Sequence, residues 1–155
     1  RENMIIEVTE KDKRERVCRE ILRSLPDWFG NPESVEEYAL GCRELPVWAD
    51  MDPDKARGFT AFRPTSGCAG EIYVMGVSIE HHRKGLGREL FWALYRYAKD
   101  EGFKFLTVKT VQMGCYPDYD RTNLFYQSLG FQELETFPTL WDEQNPCQVY
   151  IMEVK

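Results

Sequence analysis

Apolar residues along the chain fall into two periods, one of strands and one of helices, and the two alternate. Met4-Ile5-Ile6-Glu7-Val8 is a run of strand length, rich in branched side chains. Val17, Cys18, Ile21, Leu22 and Leu25 then recur at helical spacing. Thr9 reads as the N-cap of that helix, Asp12 as its first-turn carboxylate and Pro26 as its stop. Val35, Tyr38, Ala39 and Cys42 predict a second helix over about 32–42. Residues 46–51 and 58–63 read as strands joined by the turn Asp52-Pro53-Asp54-Lys55. Residues 71–79 carry the strongest strand signal. Ile72-Tyr73-Val74-Met75 is apolar on both parities, as in a strand covered on both faces, and Gly76 marks a bulge or a close backbone approach.

Leu86, Leu90, Leu94 and Ala98 stripe one side of a helix over 85–100, which Gly102 ends. A strand over 103–111, a short helix over 121–129 closed by Gly130, and strands over 131–137 and 148–154 complete the chain. Strands alternating with helices predict a mixed α/β or α+β sheet domain. Residues 4–155 are expected to form one domain, with Arg1-Glu2-Asn3 read as a remnant ahead of Met4.

Composition narrows the function. The chain has 155 residues, 43% of them hydrophobic and 14% aromatic, which excludes disorder and coiled coil. Twenty Lys and Arg against twenty-six Asp and Glu leave a formal charge of −6, so a general nucleic-acid role is not expected. Cys18, Cys42, Cys68, Cys115 and Cys147 show no short spacing, which speaks for a reducing compartment and against a zinc site; most read as small buried thiols. No apolar run approaches the roughly 18–20 residues of a membrane span, and the amino terminus lacks a signal-like apolar core. A cytoplasmic protein without membrane or metal partners is expected.

Candidate chemistry sits at Val77-Ser78-Ile79-Glu80-His81-His82-Arg83-Lys84-Gly85-Leu86-Gly87-Arg88, where a buried strand ends and two close glycines open an amphipathic helix. Amides of a helix's first turn have no internal partner and face the positive end of its dipole. With Arg83, Lys84 and Arg88 beside them, they suit a phosphate or pyrophosphate. The GxxxxGK loop is absent and the third glycine of GxGxxG is missing, so neither nucleotide fingerprint applies.

That segment resembles the acyl-CoA signature of the GNAT superfamily of N-acetyltransferases. Gly85 and Gly87 match its glycines and Val77 its strand-end valine, while His82 stands where Arg or Gln is usual and Ile79 where Pro is common. Downstream, Asn123-Leu124-Phe125-Tyr126-Gln127-Ser128-Leu129-Gly130-Phe131 is similar to the family's FYxxxGF helix and following strand. The resemblance implies a single-domain α+β fold with a central, mixed but mostly antiparallel sheet of about six or seven strands and about four helices. It implies that amides of Arg83, Lys84, Gly85, Leu86, Gly87 and Arg88 hold the CoA pyrophosphate. Backbone groups at Val77, Ser78 and Ile79 would then line the pantetheine arm, with Asn123 touching the cofactor.

Tyr126 occupies the family position whose phenol serves the departing sulfur, and Glu71 matches the glutamate base of histone-type members, six residues before Val77. Glu71 shares strand parity with Tyr73, Met75 and Val77. The activity so implied is acetyl transfer from acetyl-CoA, as co-substrate, to a primary amine. An acyl-CoA-binding or sensing module without turnover is the alternative, and a nucleotide-binding regulator a third. His81 and His82 are adjacent, so their side chains diverge, and no metal site is expected there. The resemblance implies an acceptor groove walled by Trp28-Phe29, residues 116–120 and residues 137–143, and these interleave aromatic rings with carboxylates, which suits a small cationic amine. Relatives also pair, which allows a homodimer.

Overall fold

A computed structural model describes residues 3–155. The remnant expected at residues 1–3 thus lies, except for Asn3, outside the described residues. Seven strands, β1 (Ile5–Val8), β2 (Val47–Met51), β3 (Ala56–Pro64), β4 (Ala69–Val77), β5 (Phe105–Val111), β6 (Gln132–Asp142) and β7 (Asn145–Glu153), form a sheet of order β1-β2-β3-β4-β5-β7-β6. Four helices join them: α1 (Lys11–Arg23), α2 (Pro32–Cys42), α3 (Leu86–Asp100) and α4 (Pro117–Leu129). The sheet is mixed: β4 and β5 run parallel, while β1–β2, β2–β3, β5–β7 and β6–β7 pair antiparallel. Contacts divide the chain into two compact units, one of residues 3–63 and 72–97, the other of 64–71 and 98–155.

In the first unit, Val17, Cys18, Ile21 and Leu22 of α1 and Val35, Ala39 and Cys42 of α2 bury against Val47, Ala49, Phe59 and Val74. Each fully buried aliphatic side chain contributes roughly 1.5–3 kcal/mol of transfer free energy. Asn31 caps α2 by accepting from the Glu33 and Ser34 amides, and Pro32 sits at its first position. At α1 the cap position belongs to Glu10, not Thr9, with no side-chain cap bond. Gly76 marks a close approach: a Cβ there would meet Ile21 Cγ2 at 2.9 Å and Leu25 Cδ1 at 3.1 Å. On β3, a Cβ at Gly58 would meet Leu86 and Leu90 of α3, each at 3.1 Å. The Cys18 thiol is pushed up by the Cys42 thiol in hydrogen-bonding contact and by burial. Three of the five cysteines are buried, whereas Cys68 and Cys115 are exposed.

In the second unit, β5 lies between a short parallel register with β4 (Ala69↔Phe105 to Glu71↔Thr107) and a full antiparallel one with β7. The expected boundaries change most at α4 and β6, while β5 starts at Phe105 and β7 spans Asn145–Glu153. α4 begins at Pro117, so Asp118 and Asp120 stand in its first turn rather than in a loop. β6 runs on to Asp142, making residues 137–142 strand, and turns into β7 through Asp142, whose carboxylate accepts from Gln144 N and Asn145 Nδ2. Gly130 closes α4 in the left-handed region at φ 109°.

Candidate functional site

In the first unit the site grows from the end of β4. Ser78 N–H donates to Arg57 O at 2.9 Å, which ties the end of the strand to β3. A single 3₁₀ turn, Ile79–His81, follows, with His81 N–H donating to Ser78 O and His82 N–H to Ile79 O. The Ser78 hydroxyl and His81 Nδ1 lie 2.6 Å apart, and His82 Nε2 lies 2.7 Å from Val77 O. These bonds close 77–82 on itself. The chain then takes two left-handed residues, Arg83 at φ 62° and Gly85 at φ 80°. Glycine adopts that region freely, but at Arg83 it stores of order 1–3 kcal/mol of strain.

Immediately after this turn α3 begins at Leu86, which is buried and anchors the helix, while Arg83, Lys84, Gly85 and Arg88 are exposed. A Cβ built at Gly85 meets nothing within 4 Å, so the backbone is open to a ligand there. The turn therefore opens a 15-residue helix whose first amides lack partners within the helix, with three cationic side chains within six residues. An anion is what that arrangement holds best. Glu80 is exposed and stands outside this bonding.

Beside the turn lies an aromatic cluster of the same unit. Trp28 meets His82 edge-on at 5.8 Å, Phe29 meets Tyr38 at 6.1 Å, and Tyr38 meets Tyr73 at 5.2 Å. The Arg63 guanidinium stacks 4.8 Å from the Tyr73 ring centre, a cation–π contact. Burial pushes the Tyr73 phenol up to about 12, so it stays protonated at neutral pH. Tyr38 and Tyr73 join this cluster through tertiary packing, and in the sequence only their aromatic character marks them.

The second unit holds the other expected residues. Glu71, 4% exposed, carries Lys109 Nζ at 3.1 Å from Oε2; Lys109 is two residues past Thr107, Glu71's register partner on β5. On α4, Asn123 and Tyr126 share the buried face with Leu129. Asn123 Nδ2 donates to Val111 O at 2.8 Å and to Tyr119 O at 2.7 Å, and its Oδ1 accepts the Tyr150 hydroxyl at 2.7 Å. Both amide hydrogens and the carbonyl oxygen are thus engaged within the protein, so the side chain locks α4 to β5 and β7. Gln127 Nε2 donates to the same Tyr150 oxygen at 3.0 Å. The Tyr126 ring packs against Phe125, Phe131 and Tyr150 at 5.5, 5.8 and 6.4 Å.

Among the described residues no helix is long and apolar enough to cross a membrane, and no group of three or more His, Cys, Asp or Glu is arranged to hold a metal ion.

The chain is 28% identical over 119 residues to the protein described as "Uncharacterized N-acetyltransferase YsnE" from Bacillus subtilis (strain 168), covering 74% of this chain and 76% of that one. The fold matches a crystal structure of a GNAT-family protein from Desulfovibrio desulfuricans at TM-score 0.83 and 16% identity, over 99% of this chain and 100% of that one. It also matches an aminoglycoside 6'-N-acetyltransferase solved with coenzyme A, at TM-score 0.79 and 17% identity over 98% and 97% of the two chains. The family model for "Acetyltransferase (GNAT) family" matches residues 10–131, a span that takes in the α3 turn, Glu71 and Tyr126, and this chain belongs to that family.

Proposed function

We propose that residues 4–155 act as one acetyltransferase domain that moves the acetyl group of acetyl-CoA to a primary amine, a small cationic one being favoured. The observation that carries the reading is the turn at the α3 start, left-handed at Arg83 and Gly85 and open above Gly85. A fold relative solved with coenzyme A supports it. In this reading the amides of Arg83, Lys84, Gly85, Leu86, Gly87 and Arg88 hold the pyrophosphate, and Val77 and Ile79, whose carbonyls accept from His82, pair with the pantetheine arm through the backbone groups those bonds do not use. Ser78, bonded to β3, orients them. Asn123 acts through α4 and Tyr150 rather than by touching the cofactor.

The reaction is direct attack in a ternary complex. The amine nitrogen bonds to the thioester carbonyl carbon, and the C–S bond breaks. Glu71 takes the proton the nitrogen sheds, and the Tyr126 hydroxyl gives one to the departing sulfur. The rings and carboxylates of Trp28-Phe29, residues 116–120 and residues 137–143 favour a cationic acceptor, consistent with the acidic charge of the whole chain.

The test is thiol release from acetyl-CoA across a panel of small amines, paired with melting in the presence of CoA. Turnover with at least one amine and a higher melting temperature are expected; a ligand at a hundred times its Kd adds about 2.7 kcal/mol of stability. Stabilisation without turnover on any amine would leave the sensing module as the better account. No stabilisation by CoA or acetyl-CoA would remove the ligand assignment. Glu71→Gln is expected to lower kcat about 100-fold with the true acceptor, since an amide cannot take the proton. An unchanged pH–rate profile and turnover would remove Glu71 as base.

A further inference from the structure

His82 is tied at two points to the segment that leaves β4. Its main-chain N–H donates to Ile79 O at 3.1 Å, and its Nε2 reaches Val77 O at 2.7 Å. A carbonyl oxygen only accepts, so Nε2 carries the hydrogen of that bond. The ring is held from the side by the edge of Trp28, at 5.8 Å and 75°. The next residue, Arg83, is the one non-glycine in the left-handed region among the described residues. Such a conformation persists where its surroundings over-determine it, and the doubly tied His82 is the residue directly before it.

We propose that His82 is a positioning residue for acetyl-CoA: its side-chain bond to the Val77 carbonyl holds the Arg83–Gly85 turn in the shape that presents the first amides of α3. The proposal rests on the reading of that turn as the pyrophosphate seat. His82 touches neither the reacting carbonyl nor the sulfur. It sets the shape of the turn, so its loss weakens cofactor binding while leaving the folded chain intact.

The test is calorimetric titration of CoA into the full chain, with the melting temperature of each unliganded protein, for wild type, His82→Ala and His82→Gln. His82→Ala is expected to bind CoA about five- to tenfold more weakly at an unchanged melting temperature. His82→Gln keeps an N–H donor and is expected to bind within about twofold of wild type. His82→Leu, which fills the ring's space without a donor, takes the place of His82→Ala if the latter does not fold. Wild-type affinity in the donorless variant overturns the proposal and leaves the CoA reading standing. So does a glutamine variant as weak as the donorless one, or a loss of affinity that only tracks a fall in melting temperature. A wild-type chain that does not bind CoA overturns both.

Discussion

Tyr126→Phe is expected to lower kcat about 100- to 1,000-fold with little change in the KM for acetyl-CoA, because it deletes one hydroxyl and keeps the ring. The ring itself is built into the second unit. Tyr126 is 7% exposed and packs on Phe125, Phe131 and Tyr150, while Asn123, one turn earlier, fixes α4 through Val111, Tyr119 and Tyr150. Phenylalanine retains those ring contacts, so the loss measured is that of the proton or hydrogen bond given to the leaving thiolate. Initial rates of thiol release at saturating acetyl-CoA and acceptor read it directly. An unaltered kcat would take Tyr126 out of the mechanism and leave it as a packing residue.

The largest expected effect on stability is at Arg57. Asp50 is fully buried on β2, with Arg57 Nη2 2.5 Å from its Oδ2, Arg57 Nη1 3.8 Å from Asp52, and the Met4 amide donating to its other oxygen at 3.0 Å. Removing one partner of a buried ion pair leaves an uncompensated charge, a loss of about 3–5 kcal/mol. Arg57→Met is therefore expected to destabilise the chain by that amount, which for a protein of this size lowers Tm by roughly 10 °C or more. Adding Asp50→Asn to that variant should restore much of the loss, since the charge and not the packing is at fault. Urea unfolding of the two single variants and the double variant measures the coupling. A loss in Arg57→Met below about 1 kcal/mol would show that the Met4 amide and Asp50's other contacts carry the carboxylate without it.

Much of the fold could be read from pattern. The residues expected for α2 coincide with the helix found, since Pro32 at its start and an apolar face of Val35, Ala39 and Cys42 are local signals. The stripe of α3 is buried at each expected position, Leu86, Leu90, Leu94 and Ala98. The start of α4 was misplaced by four residues although Pro117 and the first-turn carboxylates Asp118 and Asp120 announce it. The second half of β6 carried no readable period because the strand lies at the sheet edge and nearly every residue is exposed. Leu140 and Trp141 face solvent like their polar neighbours. Its extension is decided by β7.

Of the candidate site, the glycine turn was legible because backbone freedom and first-turn amides are properties of a short stretch. Gly85 is left-handed where a glycine was needed. The role of Asn123 was not legible, since its partners Val111 and Tyr150 stand twelve and twenty-seven residues away. The same holds for Lys109 beside Glu71, thirty-eight residues apart and brought near by the parallel register of β4 with β5.

The sequence by itself determined the periods, the glycine stop of α4, the acidic balance and the glycine turn ahead of α3, for these depend on residues within one or two turns of one another. Tertiary structure decided which charges meet, which polar side chains spend their hydrogens inside the protein, and which strand becomes the edge. Those outcomes depend on sheet order and register, and a register is set by the sum of contacts along two strands rather than by any stretch of one. His82 shows the boundary between the two: its place in the turn was readable from its neighbours, while its bond to Val77 and its contact with Trp28 required the fold.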